Sequence, residues 1–70
     1  MITKKDQSLG KQIKKQRKKV GFTQDQLAEK SGLSTKYIQF VESANRTPSL
    51  KTLYKIAKAL GVKVKDLFHF

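Results

Sequence analysis

Seventy residues without a cysteine make one small domain with no disulfide, no cysteine zinc site and no thiol nucleophile. Sixteen Lys and Arg against five Asp and Glu give a net charge of +11, a field that draws polyanions, either nucleic acid or an anionic membrane surface. His69 stands alone beside the C-terminus, the carboxylates are scattered and no Gly-rich phosphate loop is present, so no enzyme, metal or cofactor is expected.

Apolar runs are too short to span a membrane and no signal-peptide stretch opens the chain, which makes a cytoplasmic protein the expectation. Residues 1–7 read as a basic N-terminal arm and 8–70 as the folded domain. Strand-type alternation is absent and helical spacing recurs. A first helix is predicted from about Asp6 to Lys19, with Leu9, Ile13 and Val20 on one stripe and Gly21 as a left-handed cap. Phe22 is expected to point inward, and Thr23 with Gln26 has the spacing of a capping box. The second helix follows from Gln24 to about Ser31, with Leu27 and Ala28 inward and Gly32 as its stop. Leu33 anchors the turn, Ser34 caps, and the third helix runs from Thr35 to about Ser43 with Ile38 and Val41 inward.

Ala44 to Thr47 read as a polar loop. Pro48 suits the first turn of a fourth helix capped by Thr47 or Ser49, with Leu50, Leu53, Ile56, Ala57 and Leu60 inward and Gly61 at its end. A short fifth helix is predicted from about Lys63 to Phe68, although Lys63 is a poor cap. Val62, Val64, Leu67, Phe68 and Phe70 exceed what one short helix can bury, so a homodimer through Val64, Leu67, Phe68 and Phe70 is expected.

The segment Gln24 to Ser43 carries the function. Two short helices joined by a tight turn need a small residue where they nearly touch, and Ala28 is there. They need a residue tolerant of positive φ in the turn, and Gly32 supplies it four positions on. On this pattern the chain resembles the Cro/C1 (Xre-type) helix-turn-helix family of phage repressors and bacterial regulators. The resemblance runs through Leu9-Gly10, Ile13, Arg17, Gly21-Phe22-Thr23-Gln24, Leu27-Ala28, Gly32-Leu33-Ser34, Tyr37-Ile38, Glu42, Pro48-Ser49-Leu50, Ile56-Ala57, Ala59-Leu60-Gly61 and Leu67-Phe68. It implies an all-α, compact five-helix, lambda-repressor-like domain, whose third helix enters the major groove of double-stranded DNA, usually as a dimer on a palindrome. Ser31, and Ser43-Ala44-Asn45 where many members have a glycine, depart from the family pattern.

With 100° per residue, Lys36, Gln39, Phe40 and Ser43 lie roughly opposite Ile38 and point away from the core, while Thr35 and Tyr37 flank them. Gln39 can pair with adenine, Lys36 can reach guanine acceptors, and Thr35 can donate to a base or a phosphate. Phe40 either touches a thymine methyl or is covered by the following loop or a partner protein. The resemblance implies that Thr35, Lys36, Gln39 and Phe40 read bases. Phosphate contacts are expected from Thr23, Gln24, Ser34, Tyr37, Ser43, Asn45 and Arg46, the first two at a helix N-terminus. Charge follows the same division: residues 1–22 carry +7, 23–50 carry zero and 51–70 carry +4. Base readers specify sequence without needing charge, and the flanking lysines supply attraction. Arg17 and Glu42 each lean within about 40° of a core residue, and the family joins the matching residues in a salt bridge.

A membrane-active basic peptide fits less well, because the apolar stripe of the first helix is narrow. The runner-up is a DNA-binding antitoxin or a restriction–modification controller with a protein partner. Controller proteins match this length better than antitoxins, which usually carry an extra segment. No small-molecule ligand is expected.

Overall fold

In a computed structural model, residues 4–68 are described, with side chains from Ser8 onward. Met1 to Thr3 of the expected arm, the side chains of Lys4 and Lys5, His69 and the dimer candidate Phe70 lie outside the described residues. Four α-helices, α1 (Lys4–Lys19), α2 (Gln24–Ser31), α3 (Thr35–Glu42) and α4 (Leu50–Leu60), are followed by a 3₁₀ turn, Val64–Leu67. This is the expected all-α architecture with a helix-turn-helix. Its fifth element is a single tight turn instead of a full α-helix.

Helix α1 starts two residues before the predicted point and takes the backbone of Lys4 and Lys5 into the helix. It buries Leu9 and Ile13 as expected, but Val20 is 42% exposed. The amide of Val20 still bonds Gln16, after which Gly21 at φ 82° turns the chain away. The inward place passes to Phe22, which packs half-buried against the core with Lys30 Nζ 5.2 Å from its ring centre.

Local capping sets the borders of α2. The Thr23 hydroxyl accepts from the Gln26 amide at 3.1 Å and the Gln26 side chain accepts from the Thr23 amide at 2.8 Å. Buried Ser31 is satisfied within its own helix, donating to the Leu27 carbonyl at 2.7 Å, so the departure from the family pattern leaves no unpaired polar atom. Gly32 ends α2 at φ 70°, and a Cβ built there would touch nothing within 4 Å. The cost of Gly32→Ala is therefore conformational alone. An expected loss of about 1–2 kcal/mol in urea denaturation checks this, with the packing of neighbours unchanged.

The N-cap of α3 is Ser34, whose hydroxyl accepts from the Tyr37 amide at 3.0 Å. After Glu42 the chain leaves through Ala44, buried and at φ 64°, a left-handed conformation in the place where glycine is common in the resemblance. The Phe40 carbonyl accepts from both Asn45 and Arg46 amides, at 2.8 and 3.2 Å, and closes the helix end without a glycine.

Two expectations about α4 need correction. Pro48 lies before the helix, and of the two candidate caps it is Ser49 that accepts from the Thr52 amide, at 3.2 Å. Leu50 is not inward but 59% exposed. By helical geometry it stands roughly 70° from the middle of the stripe formed by Leu53, Ile56, Ala57 and Leu60, all of which are buried. The missing cap at Lys63 is replaced by the Asp66 carboxylate, which accepts from the Lys63 amide at 3.0 Å. The expected dimer patch is also corrected. Leu67 is fully buried and Val64 packs half-buried against the core, since the 3₁₀ turn that carries them packs against α1 and α4; only Phe68 of the described members is exposed.

Candidate nucleic-acid interface

Packing of Ile38 and Val41 into the core decides which way α3 faces. Lys36, Gln39 and Ser43 are exposed, with Ser34 at the start of the same element, and Thr35, Tyr37 and Phe40 are half-buried. The predicted readers thus share one exposed helix surface, continued by exposed Asn45 and Arg46 from the loop.

Phe40 is the clearest change from the sequence reading. It is half-buried, with two cations near its ring: Lys36 Nζ is 5.8 Å and Arg46 Cζ 6.0 Å from the ring centre. Arg46 of the following loop thus lies near the ring, which keeps part of its surface open. The ring holds Lys36 and Arg46 on the outer face by cation–π attraction. Ser43 and Asn45 engage each other: the Asn45 amide donates to the Ser43 hydroxyl at 2.9 Å, and that hydroxyl donates to the Phe40 carbonyl at 3.2 Å.

Behind this surface lies the expected salt bridge. Arg17 Nε donates to Glu42 Oε2 at 2.6 Å and Arg17 Nη2 to Oε1 at 3.1 Å, with the two side chains 10% and 3% exposed. Arg17 Nη1 also donates to the Phe22 carbonyl at 2.8 Å, so one guanidinium ties α1, the turn before α2 and the end of α3. Gln24 joins through Nε2, which donates to Glu42 Oε1 at 3.2 Å. Glu42 thereby fixes the orientation of the Gln24 side-chain amide and engages one of its two N–H hydrogens. Thr23 is exposed beside it, engaged in its capping box.

One participant was missed by sequence reasoning. Asp25, on the first turn of α2, accepts the Thr35 hydroxyl at 2.6 Å. Thr35 was expected to donate to DNA; its one proton is already given to Asp25. No periodicity links two residues ten apart on different helices, so only the helix crossing reveals this pair.

Away from this face, an open surface depression between α2 and α4 is lined by Lys30, Ser31, Gly32, Lys55, Lys58 and Ala59. It includes none of the candidate readers. Among the described residues, no group of three or more His, Cys, Asp or Glu is placed to hold a metal ion, and no helix is long and apolar enough to cross a membrane.

The profile of the Helix-turn-helix family matches residues 13–67. An uncharacterized HTH-type transcriptional regulator of Archaeoglobus fulgidus is 41% identical over 58 residues, covering 83% of this chain and 83% of that protein. The restriction-modification controller protein C.AhdI from Aeromonas hydrophila has a similar structure, with a TM-score of 0.87 and 34% identity over 89% of this chain and 94% of that one. The wild-type controller protein C.Esp1396I is similar too, with a TM-score of 0.86 and 34% identity over 93% of this chain and 84% of its own.

Proposed function

The chain belongs to the helix-turn-helix family of Xre/Cro-C1-type transcriptional regulators, and from that premise we propose that it is a controller-type regulator that binds a palindromic site on double-stranded DNA as a homodimer. DNA binding and transcriptional regulation come with the family. The controller reading rests on one observation above others: the fold is similar to that of a restriction-modification controller, with a TM-score of 0.87 at 34% identity. A DNA-bound regulator of this kind works in the cytoplasm.

In this reading α3 lies in the major groove. Lys36 and Gln39 reach base edges, Gln39 suited to adenine and Lys36 to guanine acceptors. Gln24, held by Glu42, and Arg46, held over Phe40, grip phosphates on either side. The +7 and +4 flanks provide the sequence-independent attraction.

The second copy of the chain needs an apolar surface. Leu50 and Tyr54 stand one turn apart on α4 and are 59% and 61% exposed, and Phe68 is exposed after the 3₁₀ turn. These residues support a dimer contact on a surface other than the Val64–Leu67 patch. Sedimentation at tens of micromolar is expected to give a dimer for the unaltered chain and a monomer for Leu50→Glu/Tyr54→Glu; a dimer in both would exclude this surface.

Selection from random duplexes at two salt concentrations tests the whole reading. The expected result is a palindrome with half-site centres about one helical turn (~34 Å) apart. Lys36→Ala and Gln39→Ala should each relax one position per half-site, by roughly 1–3 kcal/mol of discrimination. Arg46→Ala should weaken all sequences alike and flatten the salt dependence. Salt-sensitive binding with no enriched sequence would sink the proposal.

A further inference from the structure

We propose that Asp25 is a positioning residue for base recognition: by holding the Thr35 proton, it makes Thr35 an acceptor in the major groove, selective for a base that offers an amino group. This rests on the reading of α3 as the major-groove helix. The Thr35 Oγ1 to Asp25 Oδ1 distance of 2.6 Å is that of a hydroxyl donating to a charged carboxylate. A threonine hydroxyl has one proton and two lone pairs, and an ionised carboxylate can only accept. With its proton given to Asp25, the Thr35 oxygen can present only lone pairs to a third group.

The position of the pair suits this role. Thr35 is the first residue of α3, beside Lys36, and the N-terminal residues of a recognition helix are those that contact base edges. It is half-buried, so one side of the side chain rests against α2 while part of its surface stays open. Asp25 is exposed and has no ion-pair partner among the described residues. In a chain of net charge +11, an unpaired carboxylate on the helix that grips phosphate weakens non-specific attraction. Its contribution is to what Thr35 can recognise.

Major-groove chemistry then divides the four bases. Adenine N6 and cytosine N4 carry hydrogens that a lone pair accepts, while guanine N7 and O6 and thymine O4 are acceptors. Opposite Thr35 those acceptors would meet a lone pair, with the Asp25 charge behind it. The unaltered protein should therefore favour adenine or cytosine there by roughly tenfold, the ratio expected for one hydrogen bond gained or lost.

The test is selection from random duplexes with the full chain and three variants, reading base frequencies at each position. Thr35→Val keeps the shape and removes the hydroxyl; the position it relaxes is the one Thr35 faces. Thr35→Ser keeps the hydroxyl and should keep the adenine or cytosine preference there. In Asp25→Ala the hydroxyl is free to turn and donate, and the preference should fall to within about twofold while other positions stay as they were. A merely structural Asp25 would lower affinity for all sequences and leave every preference in place, and that result overturns the inference. So does guanine or thymine preferred at the Thr35 position by the unaltered chain, or no position relaxed by Thr35→Val. In those cases the enriched palindrome still stands and the proposed function with it, whereas no enriched sequence at all overturns both.

Discussion

Arg17→Ala is expected to remove roughly 3–5 kcal/mol of folding stability, a large part of what a domain of this size possesses. The reason is the state of the residue left behind. Glu42 has a side chain only 3% exposed, and Arg17 supplies two of the three hydrogen bonds to its carboxylate. Without the guanidinium, a buried negative charge retains only the Gln24 amide, and the Phe22 carbonyl loses its side-chain donor. Glu42→Ala should cost a similar amount by stranding the cation. Replacing both together, Arg17→Met with Glu42→Leu, should recover a large part of the loss, because burying the pair required stripping water from two ions. Urea denaturation of the two single variants and the double variant forms the check. A single-variant loss below about 1 kcal/mol would mean that the pair behaves as an exposed one. The double variant should still bind DNA more weakly than the unaltered chain, since Gln24 would lose the carboxylate that directs its amide.

Gly10→Ala should destabilise the domain by roughly 1–3 kcal/mol, although alanine is the better helix former by about 1 kcal/mol. Gly10 lies within α1, where α1 crosses the last turn of α3. A Cβ there would sit 2.6 Å from the Val41 carbonyl oxygen and 2.9 Å from that of Glu42. Both are backbone atoms and cannot swing aside, so the two helices must separate and reopen the packing of Leu9, Ile13 and Val41. The same movement shifts Glu42, and with it the Arg17 and Gln24 bonds. Thermal melting tests the sign: a raised melting temperature would show that α1 and α3 are not in close contact. The contrast with Gly32, where alanine meets no atom and only φ matters, separates close approach from backbone conformation as the reason for a glycine.

Much of this protein is legible from its sequence alone. Caps act over three residues and apolar stripes over three or four, so Thr23 with Gln26, Ser34, Gly32 and Gly61 marked helix ends correctly, and Ile13, Leu27, Ile38 and Ile56 were recognisable as core. The outward set Lys36, Gln39 and Ser43 followed from the inward pair Ile38 and Val41 by helical geometry. The Arg17–Glu42 bridge, 25 residues apart, came from the family pattern, aided by the lean of both residues towards the core.

Relations between helices were decided only by the tertiary structure. An apolar residue on a helix shows that a face is wanted inside, not how far the neighbouring element extends over it. Leu50 therefore stands in the open, while Leu67, expected to meet a second chain, is sealed within the first. Phe40 points away from its own helix's core and is nevertheless half-buried, and the turn at Ala44 brings Arg46 back towards the ring. Gly10 meets the end of α3, and Asp25 meets Thr35, at points set by crossing angles that depend on every packed side chain together. Local physics determined the helices and their faces; packing determined which polar groups stay on the outer face of α3 and which of them are already hydrogen-bonded.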